Sequence, residues 1–291
     1  MELCGRTKVY GIIGNPIEHT LSPVIHNTLA QDMGIEMVYV PFHVEEGQIE
    51  AAVKGAYGLH VYGMNVTVPY KRDVLSCLVD IDIHAKQIGA VNTLARTEGG
   101  YIGYNTDFSG LWCAMKSDGI VVENEEIILL GAGGVGRMVA FMCAIHKAAK
   151  VYLLNRNIEK AQQVATEVNK IVGTECITAM PLLEYEKLVQ EGNRKYLVIQ
   201  CTSIGMSPDT ERAVIEDEAF YRCVKTGYDL IYTPWETKFM RLVRANGGMA
   251  YNGLKMLLYQ GIDAFEIWNG CKVPQESVNK VYEKLQKQLR N

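Results

Sequence analysis

The sequence predicts an α/β protein built as two α/β domains with a cleft between them. Three observations carry this. Strand-like apolar runs alternate with helical segments along almost the whole chain. A glycine-rich turn near the middle opens a second alternating series. The length of 291 residues is long for one hydrophobic core and comfortable for two.

The elements follow in order. Residues 9–13 form an apolar strand that ends at Gly14-Asn15-Pro16. A helix comes next, with Pro23 at its first position and Gly34 just past its end. Residues 38–44 read as a second strand and residues 59–68 contain a third, after which Pro69 opens a short helix carrying Lys71. Residues 90–96 and 101–105 flank Thr97-Glu98-Gly99-Gly100, which is a hairpin signal. Residues 108–118 read as a helix stopped by Gly119. The second series places strands at 127–130, 151–155, 197–201 and 228–232 with helices between them, the pattern of a parallel sheet covered on both faces. The tail returns to helix: residues 254–268 form one, and Val278, Val281, Tyr282 and Leu285 line a stripe of another.

Composition excludes several classes of function. At 48% hydrophobic and 21% charged the chain is globular, and it holds no apolar run of membrane-spanning length. A formal net charge of −4 gives no general attraction to nucleic acid. No secretory pattern opens the sequence, and the eight cysteines are scattered without a C-x-x-C pair, so reduced thiols in a cytoplasmic protein are expected. The six histidines show no metal-ligand spacing, and no metal is expected.

The glycine turn is Gly131-Ala132-Gly133-Gly134-Val135-Gly136. Preceded by a strand and followed by a helix, its glycines serve a tight turn, close approach to a pyrophosphate and helix–strand packing. The next strand ends at Leu154-Asn155-Arg156-Asn157, with no acid before Glu159. An acid there would hold the ribose hydroxyls of NAD, whereas a guanidinium suits a 2′-phosphate, so NADP is favoured over NAD.

Lys71 arrives at the end of Val66-Thr67-Val68-Pro69-Tyr70, an apolar strand reaching a sheet edge. An ammonium there can deliver a proton to a nascent alkoxide as hydride arrives, and Asp107 can hold both the ammonium and a substrate hydroxyl. Thr20 and Ser22 stand at a helix start whose free N–H groups favour an anion, such as a carboxylate. Ser22 reads equally well as a plain helix cap, and both readings stand.

These segments resemble shikimate dehydrogenases. Residues 14–23 are similar to the family's G-N-P-x-x-H-S-x-S-P, and residues 65–71 to its N-V-T-x-P-[FY]-K. Gly89-Ala90-Val91-Asn92-Thr93 and Gly103-Tyr104-Asn105-Thr106-Asp107 match two further signatures. So do Asn155-Arg156, residues 201–206, Asp229-Leu230-Ile231-Tyr232 and residues 252–257 with Gln260. The resemblance implies NADP(H)-linked interconversion of 3-dehydroshikimate and shikimate, a step toward aromatic amino acids. It implies Lys71 and Asp107 as the catalytic pair. Thr20 and Ser22 would take the carboxylate, and Thr67, Asn92, Asp107 and Gln260 the ring hydroxyls, with Tyr232 lining the substrate. Gly131, Gly133, Gly134, Gly136, Asn155 and Arg156 would hold the cofactor, with Leu230 and Gly253 at its nicotinamide end. The implied fold is a substrate domain of residues 1–106 and 253–291 with a Rossmann-type dinucleotide domain, residues 107–252, inserted. A homodimer is compatible with this reading.

Three positions depart from the family pattern. Thr20 replaces a serine, Asn157 stands where threonine is common, and Lys255 stands where glycine is frequent. The nearest rival is a quinate/shikimate dehydrogenase with relaxed choice between NAD and NADP. A dinucleotide sensor would not need Lys71 and Asp107 together, and a folate-linked methylene dehydrogenase would leave the carboxylate and hydroxyl set unexplained.

Overall fold

The computed structural model describes residues 3–190 and 194–290. It divides into two units, one holding residues up to Ala114 and from Lys255 onward, the other Met115–Leu254. The first division falls inside a helix, eight residues beyond the expected 106, and the second falls two residues beyond the expected 252.

The first unit opens with β1 (Lys8–Gly14), α1 (Ser22–Asp32), β2 (Met37–His43), α2 (Ile49–Gly58) and β3 (Gly63–Val66). It continues with β4 (Asp80–Ile81), α3 (Ile83–Ile88), β5 (Thr93–Arg96), β6 (Tyr101–Tyr104) and α4 (Thr106–Ser117). Its sheet is mixed, in the order β2-β1-β3-β5-β6-β4. β1 runs parallel to β2 and β3, whereas β5 is antiparallel to β3 and also to β6, the latter as the Gly99-Gly100 turn requires. Ile13, Val53, Met64, Val66, Tyr70, Val74, Leu94 and Tyr101 form a core on this sheet. Such side chains each contribute about 1.5–3 kcal/mol of transfer free energy when fully buried.

The second unit contains β7 (Glu126–Leu130), α5 (Gly134–Ile145), β8 (Lys150–Asn155), α6 (Ile158–Val172), β9 (Ile177–Pro181) and α7 (Tyr185–Gln190). Then come β10 (Tyr196–Gln200), α8 (Glu218–Tyr221), β11 (Val224–Asp229), α9 (Lys238–Ala245) and β12 (Met249–Tyr251). The sheet is parallel throughout, in the order β12-β11-β10-β7-β8-β9. Counted from its own first strand this is the 3-2-1-4-5-6 order of doubly wound dinucleotide-binding sheets. α10 (Leu254–Asn269) and α11 (Gln275–Arg290) complete the chain, and α11 packs against α1. No helix among the described residues is long and apolar enough to cross a membrane.

Three expectations need correction. Lys71 does not ride on a helix: the Tyr70 N–H bonds the Thr67 carbonyl in a turn, and a short 3-10 helix begins only at Asp73. The strand expected at 228–232 lies at Val224–Asp229 instead. Pairing with β10 sets its register, and the Leu230 N–H turns onto the Gln200 carbonyl as the chain leaves the sheet. The small and polar Lys225, Thr226 and Gly227 hid the true strand. Finally, Ser22 is the first residue of α1 and not its cap, a place taken by Leu21 with no side-chain cap bond. β4, β9 and β12 have no counterpart among the expected strands, because Asp80–Ile81, Ile177–Pro181 and Met249–Tyr251 are short and mostly incompletely buried.

Candidate active site

The first unit assembles most of the residues assigned to substrate. Lys71 Nζ lies 2.6 Å from Asp107 Oδ2, with side chains 27% and 16% exposed. The pair is thus open enough to be reached and dry enough for its geometry to matter. Val91 fixes the lysine's backbone by donating its N–H to the Lys71 carbonyl at 2.8 Å. Asp107 sits in the first turn of α4, where a carboxylate is favoured by the helix dipole. Asn105 starts that helix: its Oδ1 accepts the Phe108 N–H at 3.1 Å while its Nδ2 donates to the Ala90 carbonyl. The N-T-D run therefore places a capping amide two residues before the carboxylate.

Asn92 is 2% exposed. Its Oδ1 accepts the Thr106 N–H at 2.7 Å, and its Nδ2 donates to the Thr106 hydroxyl at 3.1 Å. Because a backbone donor faces Oδ1, the amide has one orientation, and a second Nδ2 hydrogen is left to give. Thr67 follows β3 at the end of β1, so close to Gly14 that a Cβ on that glycine would lie 2.4 Å from the Thr67 methyl. Gln260, 7% exposed, crosses α4 at Gly110, where a Cβ would meet the Gln260 backbone nitrogen at 2.6 Å. Gly110 lies three residues after Asp107, so the same helix face presents both. Thr20 Oγ1 accepts the Ser22 N–H at 3.3 Å.

The remaining assigned residues lie in the second unit. Gly131 has φ of 104°, a conformation that favours glycine, and a Cβ on Gly136 would meet the Gly131 carbonyl oxygen at 1.9 Å. A Cβ on Gly133 or Gly134 would meet nothing within 4 Å, so these two leave open space at the start of α5. That helix has no side-chain cap and no acid in its first turn. The next helix, α6, is capped by Asn157, which accepts the Lys160 N–H at 2.7 Å. An uncapped, acid-free helix start beside an open glycine loop fits a pyrophosphate. Asn155 ties this loop to β8 by accepting the Ala132 N–H at 3.2 Å. Arg156 is exposed and, among the described residues, pairs with no carboxylate, so its guanidinium is free to meet an anion.

Leu230 and Tyr232 follow β11, and burial pushes the Tyr232 phenol up from its ordinary pKa. Gly253 lies against Leu230, whose carbonyl oxygen a Cβ would approach to 2.1 Å. Sequence reasoning missed what braces this segment. The buried Asp229 carboxylate accepts from the Thr237 hydroxyl at 2.6 Å, the Ile231 N–H at 3.0 Å and Gln200 Nε2 at 3.3 Å. Among the described residues no cation partners it, and burial raises its pKa to about 7. No group of three or more His, Cys, Asp or Glu residues among those described is arranged to hold a metal.

A doubly wound parallel sheet with a glycine-rich turn, in a chain whose other unit carries a lysine–aspartate pair between a turn and a helix start, defines a two-domain NADP-linked dehydrogenase. Residues 12–94 match the shikimate dehydrogenase substrate binding domain, and residues 253–281 the shikimate 5′-dehydrogenase C-terminal domain. Residues 127–251 match the NADP binding domain of saccharopine dehydrogenase. A shikimate dehydrogenase (NADP⁺) of Alkaliphilus metalliredigens is 34% identical over 96% of this chain and 98% of its own. The Thermus thermophilus shikimate 5-dehydrogenase structure, in complex with NADP(H) and shikimate, superimposes with a TM-score of 0.83 at 30% identity, covering 95% and 99% of the two chains. A Corynebacterium glutamicum quinate dehydrogenase in complex with NAD superimposes with a TM-score of 0.86 at 26% identity, covering 97% and 99%. The chain belongs to the shikimate dehydrogenase family.

Proposed function

We propose that this chain reversibly reduces 3-dehydroshikimate to shikimate, using NADPH as reductant. The observation that carries this reading is the Lys71–Asp107 contact at 2.6 Å. When bound, NADPH supplies the hydride that converts the ketone to an alcohol. Lys71 gives a proton from Nζ to the ketone oxygen as its charge develops, and in oxidation the neutral amine takes it back. Asp107 holds the ammonium in place and accepts a hydrogen bond from a ring hydroxyl. Asn92 donates its remaining N–H to a neighbouring hydroxyl, with Thr67 and Gln260 as further polar contacts. The Thr20 and Ser22 hydroxyls donate to the carboxylate. Tyr232 lines the substrate. On the cofactor side, the start of α5 takes the pyrophosphate, Arg156 the 2′-phosphate, and Leu230 and Gly253 the nicotinamide end.

A second reading, a quinate/shikimate dehydrogenase with relaxed cofactor choice, is favoured by the likeness to the C. glutamicum enzyme. An absorbance assay at 340 nm with shikimate or quinate, each against NADP⁺ and NAD⁺, separates the two. Turnover of shikimate with NADP⁺ is expected to dominate. Absence of shikimate turnover with either cofactor would overturn both readings.

A further inference from the structure

Beneath the residues assigned to substrate runs a continuous buried network that no charged group enters. It starts at Tyr39 on β2, which is 1% exposed. The tyrosine is fixed from both sides. Its backbone pairs with Tyr10 of β1, and Asn27 of α1 bonds its N–H and its carbonyl, each at 2.9 Å. The ring stacks on His26 with centroids 4.2 Å apart. His26 is fully buried, and burial drives its pKa down to about 3, so it stays neutral over the working range.

From Tyr39 the hydrogen bonds can be followed group by group. Its hydroxyl donates to Asn65 Oδ1 at 2.7 Å. The Asn65 amide is thereby oriented, and Nδ2 faces the Thr93 hydroxyl at 3.0 Å and the Asn92 carbonyl at 3.3 Å. With an N–H pointing at its oxygen, Thr93 has its own proton to pass on. Two acceptors are in reach, the Thr106 hydroxyl at 3.0 Å and Asn92 Oδ1 at 3.2 Å. Thr106 and Asn92 then close the ring of bonds described above, and the next residue is Asp107. Asn65 has used both amide hydrogens, so it has none left for a ligand.

We propose that Tyr39, Asn65 and Thr93 are positioning residues that hold Asn92 and Thr106 in place, so that the hydroxyl end of a substrate meets the Asn92 amide at a set position beside Asp107. The inference rests on the reading under Proposed function and adds residues that touch no substrate themselves. The chemistry suits the task. A chain of neutral dipoles keeps its direction at any pH at which the protein folds, whereas charged groups would titrate or draw in water. A single donor, the Tyr39 O–H, decides which end of Asn65 faces which neighbour. Loss of that donor leaves a buried carbonyl oxygen unpaired and frees the amide to turn.

Steady-state kinetics of the full chain test this, using Tyr39→Phe, Thr93→Val and Thr93→Ser with shikimate and NADP⁺ as varied substrates. Tyr39→Phe and Thr93→Val should each raise the KM for shikimate about five- to 20-fold, the scale of one hydrogen bond lost inside a buried network. The KM for NADP⁺ should stay within about twofold, and the rise should be the same from pH 6 to pH 9. The double variant should do no worse than the poorer single one, because both break the same chain. Thr93→Ser, which keeps the hydroxyl, should behave as the unmodified enzyme. If Tyr39→Phe fails to fold, the Val and Ser variants at position 93 decide alone. Unchanged shikimate KM in Thr93→Val, or equal rises for shikimate and NADP⁺, overturns the positioning role and leaves the proposed reaction standing. No shikimate turnover by the unmodified enzyme overturns both.

Discussion

The two units prepare for their ligands in opposite ways. In the first, the polar groups are already bonded to one another: Lys71 to Asp107, Asn92 to Thr106, Asn65 to Tyr39. In the second, two groups assigned to the cofactor are left uncommitted among the described residues: the start of α5 has no side-chain cap, and Arg156 has no carboxylate partner. The difference follows from what each must recognise. A ring with several hydroxyls offers donors and acceptors whose direction matters, so the protein must fix which way each amide and hydroxyl points before binding. A phosphate accepts from every side, so free N–H groups and a positive charge suffice. The units also differ in their buried polar interiors. The first relies on neutral groups, while the second contains the carboxylate of Asp229, met only by neutral donors.

The sharpest way to break this comparison is at the pair itself. Lys71→Ala should lower kcat by at least about 10²-fold, the usual scale of general acid–base help. The KM for shikimate should change much less, since other groups hold the ring. Near-normal kcat with a greatly raised KM would move Lys71 from chemistry to binding.

On the cofactor side, Arg156→Ala removes a charged hydrogen-bonding partner worth about 1.5–3 kcal/mol, or roughly 10- to 150-fold in affinity. Fluorescence titration should show that loss for NADP⁺ and almost none for NAD⁺. Equal weakening of both would mean that Arg156 supports the shared adenosine or the fold.

A third measurement asks how closely the first unit fits one ring. Quinate carries an extra hydroxyl on the carbon that bears the carboxylate, next to the methyl group of Thr20 in the proposed pose. A hydroxyl pressed on a methyl loses water without gaining a partner, which costs about 1–3 kcal/mol. The ratio of kcat/KM for shikimate over quinate should therefore be roughly five to 150, and Thr20→Gly should narrow it. Equal efficiency on both acids would favour the dual-substrate enzyme.

The smallest effect concerns Asp229. Its pKa rises on folding from an ordinary 3.8 to about 7. A raised carboxyl pKa means that the folded state favours the protonated form. Its contribution to stability is therefore fully present below about 3.8 and is lost as pH climbs through about 7. Asp229→Asn removes this titration. Thermal melts at pH 5 and pH 8 should show the unmodified chain losing ground against the variant at the higher pH. A constant difference between the two would mean that Asp229 does not titrate in this window.

Much of this protein can be read from its sequence. The parallel sheet of the second unit follows from apolar strands alternating with helices, and the glycine turn locates its phosphate end. The hairpin β5–β6 follows from Gly99 and Gly100, and the end of α4 from Gly119, whereas its start at Thr106 lies two residues before the expected 108. Lys71, Asn92 and Asp107 announce themselves because their local runs are so unlike ordinary surface. These features depend on short-range preferences or on chemistry confined to a few neighbouring residues. Tertiary structure alone decided the rest. The turn that carries Lys71 and the true limits of β11 are set by pairing with distant strands. Asn65, Thr93 and Tyr39 look like ordinary strand residues, because a hydrogen bond between positions 39 and 65 leaves no periodic trace in the chain. Sequence patterns report which face of an element is buried; they do not report which buried polar group meets which, and that matching orients the groups assigned to substrate.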